Sequence, residues 1–189
     1  MAALRLSRRE AFVAGLAALW TVPAVGPAQA AQAVPAWTPK ALTLEEARVL
    51  SAACDRIIPA TETPGALEAG VPQFIDSALS GWAEADETQR LRAGLAWLDA
   101  QARAQFGAPY AVVPGEAQDA LLAAAEKEAD AFATAQPPRP HWFLALRELT
   151  TNGYFTSEPG ATKALRYDPV PGEYRGCVPV KEIGRGWAI

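Results

Sequence analysis

The sequence predicts an all-α fold, a small bundle of about five helices followed by a long irregular C-terminal strap. Three observations predict it. Five segments between residues 43 and 153 carry apolar side chains at the spacing of an α-helix. Capping residues, prolines or glycines mark where these segments begin or end. Residues 154–189, which we call the tail, contain four prolines and five glycines instead.

The first two helices follow a short extended lead-in. Thr43 and Glu46 form the pattern of a capping box, in which each side chain satisfies the other residue's backbone N–H, and Pro59 ends this first helix. Its predicted inward face consists of Leu44, Ala47, Leu50, Cys54, Ile57 and Ile58. A second helix is predicted from Pro72 to Trp82, with Val71, Phe74, Ile75, Leu79 and Trp82 directed inward.

The other three helices are separated by glycine and proline signals. Asp86 is predicted to cap a helix over 87–106, and a fourth helix is predicted over 116–135. After a proline-rich linker, the fifth runs from His141 to about residue 152 and ends at Gly153 in the C′ position. We therefore expect a helical domain over 34–153.

The tail contains five aromatic residues. Structureless segments of this length are uncommon inside compact domains, and aromatic side chains disfavour a solvated coil. We expect an ordered strap, part of the same domain, that wraps the bundle or lies on another protein. Its aromatic residues are Tyr154, Phe155, Tyr167, Tyr174 and Trp187.

The first 33 residues have the pattern of a secretory signal peptide. A basic start is followed by an uncharged apolar run and by two sites of the A-x-A kind, which end at Ala30 and Ala33. The paired Arg8 and Arg9 are typical of a twin-arginine signal, which addresses a bacterial export route; a general secretory signal is the alternative. We expect a periplasmic protein, although the sequence leaves open which site is cut.

Composition narrows the function classes. Without its first 33 residues the chain carries 14 basic and 20 acidic residues, a balance that argues against nucleic acid, and no later segment has the roughly 20 consecutive apolar residues of a membrane span. One histidine and two cysteines cannot assemble a structural zinc site. Nucleotide-binding glycine motifs are also missing from the sequence. We therefore expect no catalytic residue, no metal and no cofactor in this chain.

Four stretches of the sequence are similar to the gluconate 2-dehydrogenase subunit 3 family. They read TLEEARVLSAACDRIIPAT over 43–61, TPGALEAGVPQFID over 63–76, GYFTSEPGAT over 153–162 and YDPVPG over 167–172. The resemblance is specific at both ends of the mature chain and only general in the alanine-rich middle.

The resemblance implies a non-catalytic small subunit of a periplasmic sugar or sugar-acid dehydrogenase complex. The large subunit of such complexes is a flavoprotein of the glucose–methanol–choline type that holds FAD, and electrons commonly pass to a cytochrome c subunit. The small subunit typically carries the twin-arginine signal, and the flavoprotein is exported with it. A stand-alone periplasmic binding or structural protein, with a pocket under the tail, is the alternative function.

Several residues have two possible roles. Cys177 lies in the tail and could form a disulfide with the flavoprotein or with Cys54, which the helical spacing places on an apolar face. His141 is expected to cap a helix or to lie at an interface. Asp55 and Arg56 are expected to form an ion pair at the end of the first helix, and a contact with the tail or a partner is the alternative. The five aromatic residues of the tail are candidate anchors for a partner, since aromatic residues dominate binding hot spots; packing on their own bundle is the alternative.

Overall fold

The computed structural model describes residues 37–135, 137, 139–170, 172–173 and 177–188. The helices of the bundle are α1 (Leu44–Ile57), α2 (Val71–Gly81), α3 (Ala85–Phe106), α4 (Gly115–Ala133) and α5 (Trp142–Phe155). The tail adds a π-helix, Gly160–Ala164, and a single short α-helical turn, α6 (Val180–Ile183). Since the described residues form helices and no sheet, the all-α prediction is confirmed. The predicted signal peptide, with Arg8 and Arg9, lies outside the described residues.

Helix α5 lies at the centre of the bundle and packs against the other four helices. Two glycines allow the closest approaches. A Cβ atom on Gly94 of α3 would collide with the indole ring of Trp142, and one on Gly153 would lie 2.6 Å from Cδ1 of Phe74. Aromatic rings therefore take the space that side chains on these two glycines would fill, and they join α3 and α2 to α5.

A buried carboxylate fixes the lead-in to α1. The side chain of Asp76 on α2 accepts backbone N–H hydrogen bonds from Lys40 at 2.8 Å, Ala41 at 3.0 Å and Leu42 at 3.1 Å. The capping box of Thr43 and Glu46 follows directly and has both of its hydrogen bonds. Together these contacts set where α1 begins.

Two predicted helix ends are wrong. Helix α3 begins at Ala85 after Glu84, and Asp86 lies in its first turn rather than at the cap. Helix α5 continues through Gly153 to Phe155, because this glycine makes room for the Phe74 ring instead of ending the helix. None of the helices in the described part of the chain is long and apolar enough to cross a membrane.

Some side chains predicted to face inward lie at the surface. Trp82, at the end of α2, is 65% exposed, and Leu44 is exposed as well. Each lies at or next to a helix end, where neighbouring helices no longer cover the apolar face. The tail also differs from the prediction, since its first part folds into the π-helix rather than remaining irregular.

Candidate partner-binding surface

The chain leaves α5 through a tight turn that the sequence specifies residue by residue. The hydroxyl of Ser157 donates to the carbonyl oxygen of Tyr154 at 2.6 Å and accepts the N–H of Gly160 at 3.1 Å. A side chain on Gly160 would collide with the same Tyr154 carbonyl. This turn directs the chain into the π-helix and so sets the path of the tail after α5.

Tyr154 packs inside the bundle rather than serving as a partner anchor. Its side chain is only 3% exposed, and its hydroxyl donates to the carbonyl oxygen of Pro64 at 2.7 Å. The neighbouring Phe155 packs edge-on against Tyr154, with ring centroids 5.1 Å apart, and is 36% exposed. The interface role predicted for Tyr154 is therefore wrong for its side chain, whereas Phe155 presents part of its ring to the surface.

Further along, the tail folds back on itself. The N–H of Arg166 donates to the carbonyl of Gly186 at 2.7 Å, and the N–H of Ala188 donates to the carbonyl of Arg166 at 2.9 Å. These bonds form an isolated parallel bridge between Arg166 and Trp187. The Arg166 guanidinium lies 4.4 Å from the centre of the Trp187 ring, a distance typical of a cation–π contact. The Arg185 guanidinium donates to the carbonyl of Lys163.

The bridge leaves large apolar side chains at the surface. Tyr167 is 59% exposed and Trp187 is 44% exposed. Val170, which the sequence pattern did not single out, is 79% exposed. Tyr174 lies outside the described residues. We use the name tail surface for the exposed side chains of Lys163, Arg166, Tyr167, Lys181, Arg185 and Trp187.

The two cysteines have opposite environments. Cys54 is buried in α1 beside the Thr150 hydroxyl, 3.6 Å from its sulfur, and burial raises the pKa of its thiol to about 12. Cys177 is exposed, and both cysteines are free thiols. The structure therefore does not contain the Cys54–Cys177 bridge, and a disulfide from Cys177 to a partner stays a prediction.

His141 caps α5, as one of its two expected roles required. Its Nδ1 accepts the N–H of Phe143 at 3.2 Å. Burial lowers the pKa of this imidazole, although Glu128, whose Oε2 lies 3.9 Å from Nε2, acts in the opposite direction. The cap therefore depends on a neutral histidine, because a protonated Nδ1 has no lone pair to accept the bond.

The predicted ion pair between Asp55 and Arg56 is replaced by a longer-range one. Arg56 donates two hydrogen bonds of 2.7 Å to the carboxylate of Asp119 and so joins α1 to α4. These hydrogen bonds hold the pKa of Asp119 below its usual value. Arg56 therefore forms an ion pair within the bundle, as predicted, but with a different partner.

A groove of about 810 Å³ opens between α1, α2 and α3. Glu46 and Arg92, which form an ion pair at 2.9 Å, line it together with Leu79 and small side chains of α3. The described residues of the tail do not line this groove, so it differs from the pocket that the binding-protein alternative placed under the tail. Among the residues that the structure describes, no group of three His, Cys, Asp and Glu side chains could hold a metal ion.

The first three of the four stretches of sequence that carry the family resemblance lie close together in the fold. Tyr154 bonds to Pro64, Gly153 packs on Phe74, and Cys54 contacts Thr150 next to the third stretch. A protein-family model described as gluconate 2-dehydrogenase subunit 3 matches residues 44–172. No curated protein and no solved structure matches the chain.

Proposed function

Because this chain belongs to the gluconate 2-dehydrogenase subunit 3 family, we propose that it is the non-catalytic small subunit of a periplasmic, flavin-dependent sugar or sugar-acid dehydrogenase. Its role is to bind the FAD-containing large subunit, help it mature and remain attached to it. The observation that carries this proposal is the extent of the family match, which includes all five bundle helices and the start of the tail.

We propose further that the small subunit supplies the export signal for both proteins. The twin-arginine route accepts folded cargo, and a flavoprotein must take up FAD before it leaves the cytoplasm. The paired Arg8 and Arg9 at the start of the sequence support this proposal. A cytochrome c subunit is the electron acceptor that the family resemblance implies for such a complex.

The exposed residues of the tail are the proposed contact with the large subunit. Phe155, Tyr167 and Trp187 are at least one-third exposed, and aromatic and arginine side chains are enriched among the residues that dominate binding energy. Cys177 is exposed and would form the disulfide that locks the complex, because exposed thiols tend to be oxidised in the periplasm. Non-reducing electrophoresis of the complex tests this bond, and a small subunit that migrates separately from the flavoprotein would disprove it.

Export of the flavoprotein tests the main proposal. Arg8→Ala with Arg9→Ala should leave both proteins in the cytoplasm, whereas the control Arg5→Ala removes a charge outside the pair and should leave export intact. Cell fractionation with FAD fluorescence and dehydrogenase activity measures the outcome. An active flavoprotein that reaches the periplasm without this chain would refute the proposal.

A further inference from the structure

Charge is distributed unevenly between the bundle and the tail. Residues 34–153 contain 9 basic and 16 acidic side chains, a net charge of −7, whereas the tail contains 5 basic and 4 acidic ones, a net charge of +1. The small subunit therefore has an acidic body and a weakly basic end. An acidic surface of another molecule is therefore repelled by the bundle, and the electrostatic repulsion is weakest at the tail.

The basic side chains of the two regions are also used differently. In the bundle, six of the nine form ion pairs with carboxylates of the chain itself. In the described part of the tail, Lys163, Arg166, Lys181 and Arg185 form no ion pair with a described carboxylate. Within the described chain these four charges are therefore not neutralised by a carboxylate, although Arg185 donates to a backbone carbonyl and Arg166 lies on the Trp187 ring.

The tail surface also holds a preorganised anchor. The Arg166 guanidinium is stacked on Trp187, and the backbone bridge between these two residues fixes both. Tyr167 follows directly and is mostly exposed. A cation held on an exposed ring needs little ordering when it binds, which lowers the entropic cost of association.

We propose that the tail surface docks on an acidic face of the flavoprotein large subunit, with the Arg166–Trp187 pair at the centre of the contact. This inference rests on the proposed function, because it names the chemistry of the partner's contact face. An anionic membrane is the less favoured target, since the bundle, with its net charge of −7, would be repelled from anionic lipids.

Charge reversal on the tail, compared with the same change on the bundle, tests the proposal. Lys163→Glu with Lys181→Glu makes the tail acidic, and Lys127→Glu makes the same kind of change at an exposed position on α4. Affinity for the purified FAD-loaded large subunit is measured by surface plasmon resonance, with Cys177→Ser in every variant so that no disulfide hides dissociation. We expect the double variant to bind about tenfold or more weakly at low salt, with a smaller difference at high salt, and Lys127→Glu to change affinity less than about twofold.

A second variant tests the anchor without relying on net charge. Trp187→Ala removes the ring under Arg166 and should weaken binding by about tenfold at every salt concentration, because a few aromatic and arginine residues at the centre of an interface carry most of the binding energy. Melting temperatures equal to wild type would show that these surface variants remain folded.

The outcomes separate this inference from the proposed function. If the wild-type small subunit does not bind the large subunit, the proposed function fails. If wild type binds and the tail variants bind equally well, only the acidic-face inference is overturned. If the wild type binds vesicles of phosphatidylcholine and phosphatidylglycerol and the double variant does not, the acidic-face inference is overturned in favour of a membrane. If the wild type associates with itself in a salt-sensitive way and the double variant does not, the inference is overturned in favour of a second copy of this chain.

Discussion

Replacing Asp76 with alanine should destabilise the protein more than any surface substitution. This carboxylate is 1% exposed and accepts three backbone N–H groups, from Lys40, Ala41 and Leu42, at 2.8 to 3.1 Å. Alanine would leave these three donors without their acceptor in a partly buried site. The lead-in to α1 would then lose its attachment to α2.

The size of the effect follows from the number and kind of bonds. A hydrogen bond to a charged group contributes about 1.5–3 kcal/mol, but three bonds to one carboxylate are not additive. We therefore expect Asp76→Ala to lower the free energy of unfolding by about 3–5 kcal/mol. At about 2–4 °C per kcal/mol for a chain of this size, the melting temperature should fall by roughly 6–20 °C.

Asparagine gives a graded comparison at the same position. Its amide oxygen can still accept from Ala41 and Leu42, which share one oxygen of Asp76, while its NH₂ group would face the N–H of Lys40. Asp76→Asn should therefore cost about 1–2 kcal/mol. The matched control is Asp130→Ala, which removes an exposed carboxylate of α4 and should change stability by less than about 0.5 kcal/mol.

Urea unfolding followed by circular dichroism measures all three variants. The reasoning would be refuted if Asp76→Ala and Asp130→Ala shifted the midpoint equally. It would also be refuted if asparagine were as harmful as alanine, because the two retained acceptor bonds would then contribute nothing.

Three further predictions concern the bundle and its thiols. Gly153→Ala should cost about 1–3 kcal/mol in urea unfolding, because its Cβ would lie 2.6 Å from Phe74, and adding Phe74→Ala should cost less than the sum of the two single changes. Burial lowers the pKa of His141 below its ordinary value of 6.5, so as pH falls the unfolded chain is protonated at this residue before the folded chain is. The contribution of His141 to the free energy of unfolding is therefore complete above about pH 6.5 and is lost as pH falls below it. His141→Asn keeps a capping oxygen and should flatten that part of a stability–pH profile, and an unchanged profile would contradict the assignment. In the reduced isolated subunit a thiol reagent should titrate Cys177 alone until denaturant exposes Cys54, so two fast-reacting thiols in the native protein would rule out the buried position of Cys54.

The existence of the five helices could be predicted from the sequence, but some of their contacts could not. Helical spacing and the capping box report local preferences, and these located all five bundle helices. The prediction that Gly153 ends the fifth helix is wrong, because the sequence alone does not distinguish a glycine that ends a helix from one that makes room for a ring such as that of Phe74. Arg56 was likewise assigned to its neighbour Asp55, whereas its partner Asp119 lies 63 residues away. Only the packing of distant helices decides both cases.

The candidate partner-binding surface could likewise be predicted only in part from the sequence. Composition predicted that the aromatic residues of the tail would be ordered, and the exposed Tyr167 and Trp187 remain candidate anchors. The side chain of Tyr154 is instead held inside the bundle, because its hydroxyl donates to the carbonyl of Pro64, 90 residues earlier in the sequence. The stacking of Arg166 on Trp187 had no local signal, since it depends on the tail turning back on itself.

The residues that carry the family resemblance mainly close the fold. Gly65 approaches the backbone so closely that a Cβ would lie 2.5 Å from the Ala60 nitrogen, and Gly160 has no room for a side chain beside Tyr154. Close packing is sufficient to explain why glycine is needed at these two positions, so these residues say little about how a partner is bound. Recognition must then depend on what the fold leaves exposed. The family match ends at residue 172, and the bridge between Arg166 and Trp187 joins a position inside the matched range to one beyond it. The proposed docking surface therefore combines residues on both sides of that limit.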